Sequence, residues 1–275
     1  MVSHLLTWAN FAVVDGVIMN ECPIRVVMLC SGGRSSRIVF NELRDFVDIT
    51  CVIIEDKQSS VKLIKRRIKK LGLMKSLGQL SFIAFNKTYA KSSEKRIKKL
   101  MEKYKLSDEV IPTVYCRRVA SVNEQNTIDL LKNFQPDAVL VNGTRIIHRR
   151  VLDCIPVPFI NTHMGITPKY RGVHGGYWAL ANKDSMNCGV TVHLVDSGID
   201  TGGILYQDII HPEVDDNFNT YPIHQLAKAL PLIKRAMMDI KNGNLSVITR
   251  ELPTKLWHHP TILEYIITYF RLNVK

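Results

Sequence analysis

Residues 24–33 read IRVVMLCSGG. The first seven, with Arg25 the lone charge, make a short buried strand, and Ser31-Gly32-Gly33 ends it in a turn. Residues 36–46 then follow a helical pattern, and residues 49–54 (ITCVII) form a second apolar run. A strand, a glycine turn, a helix and a strand make a βαβ unit, whose crossover is right-handed. The alternation resumes further on. A helix ends over residues 129–134, Pro136-Asp137 turns the chain, and residues 138–142 (AVLVN) are a buried strand. Residues 158–162 (PFINT), 190–195 (VTVHLV) and 204–210 (ILYQDII) read as further strands. Residues 221–240 read as one helix, entered through Pro222 and kinked at Pro231. The predicted fold class is α/β, a doubly wound and mostly parallel sheet with additions.

Composition bounds the rest. An apolar fraction of 46% with 23% charged residues excludes wholesale disorder and collagen-like structure, and 275 residues can bury an ordinary core. The formal charge of +12 is local. Residues 62–103 hold 14 basic side chains against Glu94 and Glu102, so this one segment carries the whole excess. Six cysteines occur without a CxxC pair, which predicts reduced thiols in a cytoplasmic protein and no zinc site. No apolar run is long enough to cross a bilayer. Residues 1–22 are apolar, lack a basic stretch and are interrupted by Asp15. They predict an extra helix, or translation begun upstream of Met19, rather than a signal peptide.

Two patterns bear on chemistry. At Ser31-Gly32-Gly33-Arg34, backbone amides at a helix start and a guanidinium could hold an anion of the substrate. A tight turn with Ser36 as helix cap explains the same residues, and both readings stay open. Asn161 and His163 lie at i and i+2 at a strand end, so both side chains share one face. In an open α/β sheet, that end is where ligands bind. Asp200 lies in the Gly-rich loop Asp196-Ser197-Gly198-Ile199-Asp200-Thr201-Gly202-Gly203 between two strands. An amide donor, an imidazole and a carboxylate suit acyl transfer, and with no Ser or Cys nucleophile evident nearby the expected nucleophile is the substrate, an amine.

Several stretches occur in order around that trio. They are residues 136–147 (PDAVLVNGTRII), Phe159-Ile160-Asn161-Thr162-His163, Pro168-Lys169-Tyr170-Arg171-Gly172, residues 189–195 (GVTVHLV) and Asp200-Thr201-Gly202-Gly203. Together they resemble the catalytic domain of the 10-formyltetrahydrofolate-dependent formyltransferases. That family includes glycinamide ribonucleotide transformylase, methionyl-tRNA formyltransferase and the sugar N-formyltransferases. The resemblance is specific over residues 136–207 and absent over residues 62–103.

The resemblance implies a Rossmann-like catalytic domain at residues 24–245. It leaves residues 1–23 as an N-terminal extension, residues 61–105 as a basic helical insertion and residues 246–275 as a C-terminal extension. It implies Asn161, His163 and Asp200 as catalytic residues. Asn161 and protonated His163 would stabilise the oxyanion, and Asp200 would favour the imidazolium form of His163. The formyl donor, 10-formyltetrahydrofolate, would contact Arg145, Ile146, Gly165, Ile166, Pro168 and Asp196, with no metal involved. Gly165-Ile166-Thr167-Pro168 stands where the family commonly has Ser-Leu-Leu-Pro. The stretch from Tyr170 to Leu180 resembles members acting on sugars, implying acceptor contacts at Tyr170, His174 and Tyr177. For His174, a loop histidine bonded to backbone is the other reading, and for His193 a core role and a donor-pocket role stay open.

The expected activity is N-formylation of a small primary amine, an amino sugar of a nucleotide-linked sugar. Phosphoribosylglycinamide formylation, formyltetrahydrofolate hydrolysis and a non-catalytic membrane- or RNA-binding module are the alternatives. For the basic segment, a packed helical addition, a peripheral membrane contact and a phosphate grip all remain open. A homodimer is a further expectation, with the C-terminus as dimer contact, interfacial helix or packing arm. A tRNA acceptor is disfavoured, because the 75 residues after Asp200 leave no room for the extra β-barrel domain of tRNA-formylating relatives.

Overall fold

Apolar residues stand at every position from Val26 to Cys30, so both faces of this strand require cover. The computed structural model, which describes residues 13–14, 17–18 and 23–275, provides it. The pairs Val13–Val14 (β1) and Val17–Ile18 (β2) are extended and antiparallel where the sequence predicts a helix. The rest of that N-terminal prediction lies outside the described residues.

The βαβ unit forms as Arg25–Cys30 (β3), Arg34–Leu43 (α1) and Asp48–Glu55 (β4). The helical insertion follows as Ser60–Leu71 (α2) and Leu73–Lys103 (α3). Then come Cys116–Val119 (β5), Gln125–Phe134 (α4), Ala138–Asn142 (β6), Arg149–Leu152 (α5) and Phe159–His163 (β7). Arg171–Gly172 (β8), Gly175–Ala181 (α6), Gly189–Leu194 (β9), Ile204–Ile209 (β10) and Tyr221–Lys241 (α7) come next. Leu256–Trp257 (β11) and Ile262–Leu272 (α8) complete the order.

Seven strands pair in the order β10-β9-β7-β6-β3-β4-β5. β3, β4, β5, β6 and β7 are parallel, and β9 runs antiparallel to both its neighbours. Alternate side chains point to opposite faces. Val26, Met28 and Cys30 pack with Ile38 and Leu43 of α1 and with Leu226, Ile233 and Met237 of α7. Val27 and Leu29 pack on the other face with Leu131 of α4 and Val151 of α5. Both faces are covered by helices, which is the doubly wound arrangement.

The basic insertion is two helices, and Phe82, Ile97 and Leu100 of α3 pack on the domain. Phe82 of α3 meets Phe218 at 4.9 Å and Tyr265 of α8 at 5.2 Å between ring centroids. Further along α3, Arg96 pairs with the fully buried carboxylate of Asp216 at 2.9 Å. Asp216 also accepts from His224 Nε2 at 2.7 Å, and Tyr104 Oη lies 2.7 Å from His224 Nδ1. This buried network fastens the C-terminal half of α3 to α7.

At the first glycine turn the structure corrects one expectation. Gly33, not Ser36, holds the cap position of α1, and no side chain caps it. Ser35 and Ser36 lie inside the first turn, and each donates to Asn142 Oδ1 at 3.0 Å. The hydroxyls thus tie α1 to the end of β6.

Candidate active site

The parallel strands end on one side of the sheet. There β6 and β7 open into a cleft of about 580 Å³. β7 delivers Asn161 and His163, with Thr162 between them pointing to the opposite face. The loop between β9 and β10 brings Asp200 across with a left-handed backbone at φ 49°. All three line the cleft.

His163 is buried, and its Nε2 donates to the Tyr170 carbonyl at 2.6 Å. That fixes Nδ1 as the edge facing Asp200 Oδ2, 3.3 Å away. Gly165 makes this contact possible, since a Cβ there would lie 2.5 Å from the Tyr170 oxygen and 2.8 Å from His163 Nε2. Asp200 Oδ2 also accepts from the Gly172 amide at 2.8 Å. Burial acts to raise the Asp200 carboxyl, but His193 and His163, whenever either carries a proton on the nitrogen that faces it, and the Gly172 N–H outweigh burial and hold it below its ordinary value. For His163 the balance is the reverse of the expectation. Burial outweighs the pull of Asp200 and pushes the imidazole below its ordinary value, so the resting ring is neutral. An unprotonated Nδ1 facing a carboxylate is a place prepared for an arriving proton.

His193 of β9 settles as a cleft residue. Its Nδ1 lies 2.7 Å from the Leu194 carbonyl, which makes Nδ1 the donor. Nε2 is then free to accept from Asn161 Nδ2 at 3.1 Å, and it stands 3.7 Å from Asp200 Oδ1. Asn161 keeps its second amide hydrogen for another acceptor in the cleft.

The residues predicted around the trio divide. Arg145, Ile146 and Asp196 line the cleft. The Arg145 guanidinium, however, is turned away, onto Glu55 and the carbonyls of Asp56 and Ala120. Glu55 is nearly buried, accepts from the Arg145 amide at 3.0 Å and from the Val122 amide at 2.9 Å, and so fixes the path of the loop. Asp196 is occupied locally, accepting from Gly198 N and Thr201 Oγ1 at 3.0 and 2.7 Å. Gly165, Ile166 and Pro168 are absent from the cleft lining; Ile166 is fully buried, and the Thr167–Pro168 peptide is cis.

On the other side, His174 and Tyr177 line the cleft. Tyr170 does not; its hydroxyl donates to Asp184 at 2.7 Å, and only its backbone reaches His163. Ser31 sits behind Gly143, a lining residue, where a Cβ would come within 3.2 Å of Ser31 Oγ. Gly32, Gly33 and Arg34 do not line the cleft, and the Arg34 guanidinium is held by Glu94 at 2.5 Å and Asp108 at 3.0 Å.

A wall that the sequence did not reveal comes from β11. Trp257 and His258 line the cleft because Leu256 and Trp257 pair in parallel with Arg171 and Gly172. Gly172 has φ 97°, and a Cβ there would fall 2.2 Å from the Trp257 oxygen, so the pairing demands glycine. Trp257 stacks on Trp178 at 4.7 Å, and Lys255 covers its ring at 3.7 Å. Behind it, His174 Nε2 and His259 Nδ1 share a hydrogen bond of 2.9 Å. Burial, then the neighbouring His259, pushes His174 down to about 3. Burial, then Arg67 and His258, pushes His259 down to about 4. Among the described residues no group of His, Cys, Asp or Glu is arranged to hold a metal ion.

Comparison with known proteins supplies the family. Residues 50–226 match the family described as Formyl transferase. The methionyl-tRNA formyltransferase of Clostridium perfringens is 32% identical over 127 residues, 45% of this chain and 40% of that protein. The GDP-perosamine N-formyltransferase of Brucella melitensis is 28% identical over 143 residues, 49% of this chain and 55% of that protein. The match thus takes in less than two thirds of the length of these relatives. Among solved structures, glycinamide ribonucleotide transformylase 1 from Symbiobacterium toebii superposes with a TM-score of 0.54 at 15% identity, covering 91% of this chain and all of that one. A sugar N-formyltransferase from Shewanella gives 0.52 at 16% identity, covering 85% and 76%. At these identities the likeness is one of fold. With residues 50–226 matched, the chain belongs to the formyl transferase family.

Proposed function

We propose that this chain is an N-formyltransferase that moves a formyl group from 10-formyltetrahydrofolate to a primary amine on a small acceptor, an amino sugar of a nucleotide-linked sugar. The observation that carries the reading is the joining of Asn161, His163 and Asp200 in one cleft at the end of β7. The donor half of the cleft fits a flat heterocycle with polar edges. Val141, Ile147 and Val195 are apolar, and loops 143–146 and 196–200 bring backbone amides and carbonyls. The folate supplies the formyl carbonyl carbon as electrophile.

The chain's residues then have defined tasks. Asn161, anchored on His193, donates its remaining amide hydrogen to the formyl oxygen as that oxygen gains charge. His163 and Asp200 take the proton that leaves the acceptor nitrogen, at the Nδ1 edge between them, and return it to N10 of the folate as the bond from N10 to the formyl carbon breaks and tetrahydrofolate leaves. The neutral resting state of His163 suits this reading, because a ring already protonated at both nitrogens accepts nothing. The Tyr177, Phe218, Tyr221 and Trp257 side of the cleft gives the acceptor an aromatic wall, as sugars and nucleobases favour. The GDP-perosamine N-formyltransferase relative and the sugar N-formyltransferase structure support a sugar acceptor.

The test is to incubate the protein with 10-formyltetrahydrofolate and a panel of nucleotide-linked amino sugars, with glycinamide ribonucleotide alongside. The expected result is a product heavier by one formyl group with an amino sugar, and no donor consumption without an amine. Donor consumption without any amine would turn the reading to hydrolysis.

A further inference from the structure

Helix α8 is apolar on both sides. Its inner side seats Tyr265 in the aromatic core with Phe82, Tyr177 and Phe218. Its outer side presents Leu263, Ile266, Ile267 and Phe270, spaced i, i+3, i+4 and i+7, which places them on one stripe. Phe270 is 80% exposed and Leu263 63%. Helices that are apolar all round are normally covered. The first turns of α3 continue the surface. Gly78 lets α3 approach Thr261 at the start of α8, and Phe85 lies 5.6 Å from Tyr265. On the outer side of α3, Leu73, Met74 and Leu77 are exposed, Met74 by 82%. α3 and α8 lie side by side over one core, and both carry exposed apolar side chains on their outer sides.

Charge decides what could cover them. Helix α2 packs against α3 and carries Lys65, Arg66, Arg67, Lys69 and Lys70, with Lys75 just beyond. None of these makes an ion pair among the described residues, whereas Arg96 and Lys103 further along α3 are paired with Asp216 and Glu213. A second copy of the chain docking on this surface would bring the same cations face to face. An anionic bilayer meets both properties at once, taking apolar side chains into its interface and drawing basic side chains to its headgroups.

We propose that the surface made by α2, the start of α3 and α8 docks on an anionic lipid membrane. Docking there brings the mouth of the cleft close to the bilayer. His258 lines the cleft, the His259 carbonyl accepts from Gln79 of α3 at 2.7 Å, and Thr261 caps α8. Burial, then Lys70, Lys75 and Arg67, holds His258 below its ordinary value, which marks how near α2 stands to that lip. The inference does not depend on the proposed reaction, and its test needs no turnover.

The experiment is co-sedimentation of the full chain with vesicles of equal parts phosphatidylcholine and phosphatidylglycerol at low ionic strength. Vesicles of phosphatidylcholine alone are the control, and sedimentation velocity without lipid reports self-association. The chain is expected to pellet with the mixed vesicles, to be released by added salt, and to stay in solution with the control. Lys65→Gln, Arg66→Gln and Lys69→Gln should each lower partitioning roughly fivefold. Ile266→Ser with Phe270→Ser should lower it roughly tenfold or more without lowering the melting temperature, since both side chains are exposed in the free chain. Formyl transfer to a soluble amine should be unchanged in every variant. Absence of binding to mixed vesicles would overturn the proposal. So would binding indifferent to both sets of substitutions, or a dimer in solution that Phe270→Ser dissociates, which would make a second copy the cover.

Discussion

On the proposed function Asn161, His163 and Asp200 act on one reacting carbonyl, so their losses should be large and should not add. Asn161→Ala removes a donor to the developing oxyanion and is expected to lower kcat by about 10²–10³. His163→Ala and Asp200→Ala should each be at least as damaging, and the triple variant little worse than the worst single one. Steady-state kinetics with unchanged circular dichroism would check this, and near-normal turnover in His163→Ala would contradict the proposed mechanism. Glu55 should behave differently. It meets the cleft only through the Arg145 loop, which it holds by the backbone amide and the guanidinium. Glu55→Gln weakens that hold, so KM for the formyl donor should rise several-fold while kcat changes little. The trio was legible because family resemblance marked it. Glu55 was not, since one carboxylate at a strand end carries no sign of the loop it will hold 90 residues later.

At the level of elements, the attachment of α3 rests on a buried charge. Asp216 is fully buried and accepts from Arg96, His224 and the Glu213 amide. Asp216→Ala strands Arg96 and His224 and is expected to cost about 3–5 kcal/mol, read as a lower denaturation midpoint in urea. The His174–His259 pair sets an acid limit on the docking of the C-terminal segment. Both are neutral in the fold, with values near 3 and 4, whereas the unfolded chain protonates them near the ordinary imidazole value. Their contribution is therefore complete above about pH 6.5 and is lost as pH falls towards 4, by on the order of 1 kcal/mol per residue per pH unit. Both side chains keep some solvent contact, which reduces that figure. Thermal melts at pH 7, 6 and 5 should show a falling midpoint, and His259→Phe should flatten the trend. Element boundaries were readable where burial was complete: β6 falls on the predicted 138–142, because an unbroken apolar run needs cover on both faces. β5 was missed, because an edge strand carrying the exposed Arg117 and Arg118 looks like part of a basic loop. The two-residue pairing of β8 with β11 leaves no periodicity to read.

Across the whole molecule, the excess charge and the chemistry occupy different elements that meet at the lip of the cleft. Six of the seven strands of the sheet, and the place of the trio among them, were readable from residues 24–210, while the division of the basic segment was not. In its C-terminal part Arg96 and Lys103 form internal ion pairs with Glu213 and Asp216, whereas Lys65, Arg66, Arg67, Lys69, Lys70 and Lys75 form none among the described residues. Charge counting alone cannot separate the two parts, since the partners lie more than 100 residues away.

The pairing of Trp257 with Gly172 also sets an order of events during synthesis. Every strand of the seven-stranded sheet, with Asn161, His163 and Asp200, leaves the ribosome before Trp257 is made. At roughly 5–20 residues per second, a nascent chain spends seconds with its strands complete and one side of the cleft missing. During that interval the face that will receive Trp257 is open to water, and the hydrogen bonds of Arg171 and Val173 to the β11 strand are unmade. A chain cut before residue 256 would keep the sheet and the trio and lose the wall that Leu256, Trp257 and His258 give the cleft.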